Sequence, residues 1–289
     1  MSLPQVILLA IVQGLAELLP VSSSAHVVVA EKLMGLDPSS PPMTLLLVML
    51  HTGTMFAVIV YFWQQWRSTY FRNTAACRTA AVNIVLATTL TGAIGEAIIK
   101  LIERTAFPGA KGAQIEDLFS HLEVIAPALA VAGALILVAD ISARRRPAAS
   151  MGKSSELGKG PAALIGAVQG LCLPFRGFSR SGATISAGML AGVTKSAAEA
   201  FSFALAVVLT PVVVARETIR LVHAQSTSGE GSSLSAFTPS LLGAVLAFMA
   251  GLLALKWLSR WLESGRWYLF GIYCMIAAAA VFVLHRFGY

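Results

Sequence analysis

Two short polar stretches interrupt a chain that is otherwise mostly hydrocarbon, and both carry residue types that can handle phosphate. In the first, Gln13 and Glu17 are four residues apart and share one helix face. A carboxylate beside an amide oxygen suits a hard divalent cation, Mg2+ first, with Ca2+ or Mn2+ as alternatives. Glu17 could equally serve only to neutralise an arginine. Ser22, Ser23 and Ser24 follow Pro20, and His26 comes next. If Ser23 opens a helix, His26 lies about one turn on, and a hydroxyl beside an imidazole is the nucleophile-and-base arrangement of covalent catalysis. Serines at such a position also cap helices. The second stretch, residues 173–187, carries Arg176, Ser179, Arg180, Ser181, Thr184 and Ser186, with Gly177 and Gly182. Arg180 offers a planar fork of donors that matches phosphate oxygens. Ser179, Ser181 and Thr184 add hydroxyls, and a helix opening near Thr184 would add an anion-favouring N-terminus. Arg176 reads equally well as a catalytic residue or as one that lines the entrance or pairs with a lipid phosphate.

These stretches need elements that can hold them inside a membrane. The composition is 56% hydrophobic and 12% charged, which predicts an integral membrane protein counted in spans of about 20 residues. An arginine near the bilayer centre costs about 2.5–3.5 kcal/mol on insertion scales, so Arg180 requires an anion or a wet cavity. The net charge of +7 is read as loop lysines and arginines facing the cytoplasm. No basic patch interleaved with aromatics points to nucleic acid. Cys77, Cys172 and Cys274 are odd in number and far apart, so neither a disulfide framework nor a metal cluster is expected. The apolar N-terminus lacks a basic leader and is kept as part of the fold.

In chain order, an apolar helix from Leu3 to Leu19 ends at Pro20, and a short helix returns through His26 to about Met34. Spans follow at about Met43–Trp63, Ala81–Ile102 and Glu123–Ile141. The pattern then restarts: Pro161–Leu171, the second polar stretch, a returning arm from Thr184 to about Val193, and spans near Ala200–Leu221, Pro239–Trp257 and Trp267–His285. Ile11-Val12-Gln13-Gly14-Leu15 in the first half is echoed by Ala167-Val168-Gln169-Gly170-Leu171 in the second. The expected fold is therefore an all-α polytopic membrane protein forming one domain over 1–289. It consists of two repeats, about 1–145 and 158–289, each a re-entrant broken hairpin plus three transmembrane helices. One hairpin and three spans have odd crossing parity, so tandem copies are inverted, and the two breaks should meet near the midplane. Arg67, Arg72 and Arg78, then Arg144 to Arg146 with Lys153 and Lys159, and later Lys256, Arg260 and Arg266 mark the cytoplasmic turns. Arg216 and Arg220 fit this scheme least well. The five tryptophans, Trp63, Trp66, Trp257, Trp261 and Trp267, are expected as an interfacial belt. His51 could face the cavity or the interface, Glu96 could be a structural partner, and Glu199 is expected at the start of its helix.

Gln13-x-x-x-Glu17 followed by Pro20-Val21-Ser22-Ser23-Ser24-Ala25-His26, with Gly177-Phe178-Ser179-Arg180-Ser181-Gly182-Ala183-Thr184 later, resembles the bacitracin-resistance type of undecaprenyl-diphosphate phosphatase. The resemblance runs from about residue 5 to the C-terminus. It implies an enzyme of the bacterial cytoplasmic membrane that hydrolyses a polyprenyl diphosphate to monophosphate and phosphate, recycling the carrier lipid for peptidoglycan synthesis. By that resemblance Glu17 carries a metal or general-base role, Ser23 and His26 are nucleophile or proton-transfer candidates, and Arg180 binds the diphosphate. Ser22, Ser24, Ser179, Ser181, Gly182, Thr184 and Arg176 line the substrate side, and Gln13 joins Glu17 as a metal ligand. Membrane lipids are the surroundings, nucleic acid is not a partner, and a homodimer is left open. Two departures stand out. Gln13 occupies a position where many members carry glutamate, and Phe175-Arg176 separates Pro174 from Gly177 where the family usually has Pro-Gly.

The main alternative is a lipid flippase or secondary transporter, because inverted repeats with broken helices also build alternating-access carriers. The acid-phosphatase-like lipid phosphatases need further motif histidines, and only His26 lies in a suitable motif.

Overall fold

The computed structural model describes residues 2–37, 40–106, 122–145, 157–228 and 234–287, with side chains left out at a few helical positions that include Arg216 and Arg220. Among these residues all regular structure is helical: α1 (Leu3–Leu18), α2 (Ser23–Leu33), α3 (Pro41–Thr69), α4 (Thr74–Ala106), α5 (Leu122–Arg145), α6 (Lys159–Cys172), α7 (Arg180–Leu190), α8 (Lys195–Ser228), α9 (Leu234–Glu263) and α10 (Tyr268–Arg286). Six of them, α3, α4, α5, α8, α9 and α10, are long and apolar enough to cross a bilayer. The chain is a multi-pass helical membrane protein.

Local chemistry explains the breaks. α1 runs up to Pro20, which has no N–H to continue the ladder; Leu19 still donates to Leu15 at 3.1 Å, and Val21 turns back onto the Leu19 carbonyl at 2.8 Å. Ser22 then takes φ +67°, a left-handed conformation that non-glycine residues rarely adopt, and α2 starts at Ser23. In the second break α7 begins at Arg180, four residues earlier than the expected Thr184. The cause is Ser179, whose side chain accepts from the Gly182 amide at 3.2 Å and caps the helix there. α3, α4, α5, α8 and α9 overrun their expected spans at both ends, whereas α10 starts one residue later than expected and ends one later. Arg146 and Lys153, expected in a cytoplasmic turn, lie outside the described residues.

The hairpin arms are held by close helix crossings. α1 packs against α9 and α6 against α4, while α3 meets α8 and α5 meets α10. The repeated Gln-Gly-Leu has a physical purpose in both copies. A Cβ on Gly14 would stand 2.7 Å from the Ala247 carbonyl on α9, and one on Gly170 would stand 2.9 Å from the Thr91 carbonyl on α4. The largest apolar core lies beneath the breaks, where Leu18 and Val21 pack with Ile136, Ile185, Phe203, Leu255 and Trp267.

Polar ties fix the helix ends. Trp66 Nε1 donates to the Ala200 carbonyl at 3.0 Å, Asn83 to the Leu157 carbonyl at 2.6 Å, and Arg144 to the Gly265 carbonyl at 2.5 Å. His285 approaches Glu123 at 3.7 Å, tying the end of α10 to the start of α5. Two tryptophans depart from the expected belt. Trp66 and Trp267 are buried, because each finds an internal acceptor for its indole N–H; Trp267 uses Ser186 Oγ at 3.2 Å. Trp63 and Trp257 remain more than half exposed.

Candidate active site

The two breaks meet on one carboxylate. Glu17 sits in the last turn of α1. Its Oε1 accepts from Arg180 Nη2 at 2.7 Å, across from the start of α7. Its Oε2 accepts from Ser23 Oγ at 2.5 Å and from Gln13 Nε2 at 3.1 Å. His51 Nε2 stands 3.8 Å from the same oxygen, so this imidazole faces the Glu17 carboxylate. Its Nδ1 is engaged by the Leu47 carbonyl at 2.8 Å.

A hydroxyl held 2.5 Å from a carboxylate has an arrangement that could serve nucleophilic attack, with the carboxylate placed to take the proton. Glu17, not His26, holds that place beside Ser23. Both nitrogens of His26 are engaged elsewhere: Nδ1 lies 2.7 Å from the Ser22 carbonyl and Nε2 2.6 Å from Tyr273 Oη.

Arg180 supplies the positive side. One terminal nitrogen is bound to Glu17, while Nη1 is buried and has no hydrogen-bond partner. A buried guanidinium nitrogen left unmatched beside Glu17, among the described residues, is a ready donor to an anionic oxygen. The other expected residues divide. Ser22 and Ser24 hydroxyls lie 3.2 Å apart, and Ser24 accepts from the Gly177 amide at 3.4 Å, joining the first break to the second. Ser181 Oγ donates to the Leu19 carbonyl at 3.2 Å. Thr184 donates to the Arg180 carbonyl at 2.8 Å and pairs with Ser202 Oγ at 2.6 Å. Ser179, Gly182, Ser181 and Thr184 thus shape and brace the break, and Arg180 is the member of this group aimed at Glu17. Gly177 has φ +100°, and a Cβ there would meet the Ile125 carbonyl of α5 at 2.6 Å. Arg176 is half-buried and interacts electrostatically with Glu31, a buried carboxylate on α2.

For a divalent cation, Glu17 and Gln13 are the candidate ligands. Gln13 turns its amide nitrogen toward Glu17, so in this arrangement it orients the carboxylate as a donor. Rotation of the amide would place its oxygen there. Among the described residues no three His, Cys, Asp or Glu side chains converge as a dedicated cage. The donor set fits a cation of the Mg2+ kind, which keeps its waters and shares substrate phosphates through one carboxylate.

Of the remaining polar residues, Glu96 pairs with Lys100 at 3.2 Å on an exposed face of α4. Glu199 is buried one turn into α8 and accepts from Ser259 Oγ at 2.8 Å, so a side chain of α9 satisfies it. The sequence reading left His51 undecided and missed Tyr273, a phenol in an apolar helix with no polar neighbour in sequence to mark it.

Two helical hairpins whose breaks converge on Glu17, Ser23 and Arg180 define a polytopic membrane protein with an intramembrane polar site. The chain matches the family model described as bacitracin resistance protein BacA over residues 6–280, and it belongs to that family. It is 54% identical to undecaprenyl-diphosphatase 2 of Acinetobacter baylyi over 287 residues, covering 98% of both chains. It is 32% identical to undecaprenyl-diphosphatases of Rhodopirellula baltica, over 97% of both chains, and of Acidiphilium cryptum, over 98% of both.

Proposed function

We propose that this chain is an undecaprenyl-diphosphate phosphatase of the bacterial cytoplasmic membrane, releasing phosphate from the diphosphate and returning the monophosphate carrier to peptidoglycan synthesis. The observation that carries the reading is the 2.5 Å Ser23–Glu17 contact beside the unmatched Nη1 of Arg180. A carrier would need no activated hydroxyl.

In the proposed reaction Ser23 Oγ attacks the terminal phosphorus and passes its proton to Glu17 Oε2. The phosphoanhydride bond breaks, and the lipid monophosphate departs with the bonding electrons. Glu17 passes that proton to the departing lipid monophosphate; water then attacks the phosphoserine phosphorus and gives a proton to Glu17, which returns it to Ser23 Oγ as the serine–phosphorus bond breaks and phosphate leaves. Arg180 holds the phosphoryl oxygens through Nη1 while Nη2 keeps Glu17 oriented. Gln13 donates to Glu17, and the Ser24–Gly177 contact holds the breaks in register. A divalent cation on Glu17 and Gln13, Mg2+ first, would neutralise charge on the phosphoryl oxygens. The prenyl tail leaves sideways between helices into lipid. Bacitracin resistance follows from the same reaction, because faster recycling leaves less free diphosphate.

The halves 1–145 and 158–289 are proposed to be inverted copies within one membrane domain. Support comes from the end-to-end contacts: the second hairpin opens beside the Trp66 end of α3 and the Leu157–Asn83 contact, whereas the first opens beside the starts of α3 and α5. All proposed site residues come from one chain, so the chemistry does not depend on a homodimer.

The direct test is phosphate release from undecaprenyl diphosphate by purified protein in detergent, with and without chelator. Wild type should turn over, Arg180→Ala and Ser23→Ala should not, and chelator should stop the reaction. Equal, background-level release by wild type and Arg180→Ala would sink the enzyme reading, and activity that survives chelator would remove the cation alone.

A further inference from the structure

We infer that Tyr273 is a positioning residue for His26, fixing which imidazole nitrogen bears the proton and where the ring points. Tyr273 lies on α10, about as far along the chain from His26 as the fold allows, yet its Oη stands 2.6 Å from His26 Nε2. The two rings run nearly parallel, 13° apart, with centroids at 5.7 Å. The other ring nitrogen, Nδ1, is 2.7 Å from the Ser22 carbonyl, an oxygen that can only accept. Nδ1 of the neutral ring therefore carries the hydrogen, Nε2 presents its lone pair, and the phenol O–H of Tyr273 donates to it. The carbonyl that selects this tautomer belongs to Ser22, the residue held at φ +67° in the first break. The ring is thereby clamped between the strained break and α10, as buried imidazoles are held by the partner of their second nitrogen.

This arrangement decides what His26 can do. With Nδ1 committed to the backbone, Nε2 is the nitrogen that can exchange a proton, and Tyr273 covers it. The Tyr273 ring is 44% exposed, so the phenol sits between His26 and the outside of the helix bundle. Without the phenol, Nε2 would be open to water and the ring free to turn about its Ser22 contact. The inference rests on the proposed phosphatase reading and adds to it a part for His26 in turnover; the hydrogen bond itself can be read without activity.

The experiment combines a spectroscopic and a kinetic measurement on the full-length protein in detergent. With histidine labelled at both ring nitrogens and the His26 signals assigned by their loss in His26→Gln, wild type should show a protonated Nδ1 and a hydrogen-bonded, unprotonated Nε2. Tyr273→Phe keeps the ring and removes only the hydroxyl. It should shift the Nε2 resonance and leave the other histidines unmoved. Phosphate release by Tyr273→Phe should fall about tenfold in kcat with KM for undecaprenyl diphosphate little changed. An unshifted Nε2 resonance in Tyr273→Phe overturns the inference whatever the activity. A shifted resonance with wild-type kcat reduces Tyr273 to a structural contact and overturns its positioning role. Wild-type activity in His26→Gln denies His26 a part in turnover and overturns the positioning role of Tyr273, while leaving the phosphatase reading intact.

Discussion

Glu17 holds an arginine, a serine and a glutamine with two oxygens, so each substitution around it tests a different part of the proposed chemistry. Ser23→Ala removes the attacking oxygen, and Glu17→Gln keeps the shape but cannot take the proton. Each should lower kcat by about 10²–10⁴, the usual range for a lost base or nucleophile partner, with the protein still folded in detergent. Arg180→Lys is more informative than Arg180→Ala. A lysine keeps the charge but has no fork, so it cannot hold Glu17 and a phosphoryl oxygen together. Its kcat should fall about 10²–10³, as when one donor to a developing anion is lost; near-wild-type turnover would show that charge alone suffices. The residues around this carboxylate were legible because Gln13, Glu17, Ser23 and Arg180 are polar letters in apolar text. Pairing among them was less so. The sequence places His26 about as near Ser23 as Glu17, and only the turn of chain through Pro20 and Ser22 decides that Glu17 meets the hydroxyl. His51 and Tyr273 come from α3 and α10, where neither ring belongs to a polar motif whose spacing would mark it.

At the scale of elements, the second break depends on one residue's backbone. Gly177 has φ +100° and presses on the Ile125 carbonyl of α5, whereas Gly35 has φ +63° with nothing near its missing Cβ. The pair separates conformational strain from contact. Gly35→Ala should cost only the left-handed backbone, about 1–2 kcal/mol. Gly177→Ala adds a clash with backbone and should cost about 1–3 kcal/mol beyond that, with a visibly lower thermal midpoint and lost phosphate release. Equal midpoints for the two variants would mean that α5 yields at Ile125 and does not brace the break. Element existence was readable from Pro20 and the Ser/Gly run, and the spans from hydropathy. The start of α7 was not, because a serine followed by Arg-Ser-Gly caps a helix as well as it ends a loop, and the Ser179 side chain settles it by reaching Gly182. The burial of Trp66 and Trp267 was equally hidden, since their acceptors, the Ala200 carbonyl and Ser186, lie on α8 and α7.

For the whole molecule the repeat explains why the chemistry is lopsided. Gln13 and Gln169 are matched by their Gln-Gly-Leu settings, and both are buried. Four residues after Gln13 stands Glu17; four after Gln169 stands Leu173. The amide oxygen of Gln169 has no partner, and its nitrogen donates to Thr91 at 3.2 Å, so the second copy keeps the glutamine without a carboxylate to orient. One half brings the acid and hydroxyl and the other the arginine, and the proposed inversion would bring the two tips together from opposite faces. Single cysteines placed after Cys77→Ser test that arrangement, because Cys172 and Cys274 are buried. A membrane-impermeant thiol reagent applied to right-side-out vesicles should label Asp37→Cys, at the mouth of the first hairpin, and spare Lys159→Cys and Ser264→Cys. Inside-out vesicles should show the reverse. Labelling of Asp37→Cys and Lys159→Cys from the same face would refute the inverted pairing, since two hairpins entering from one side cannot set Glu17 and Arg180 tip to tip. A clean exchange of the two faces would keep the inversion and overturn only the orientation read from the arginine-rich turns.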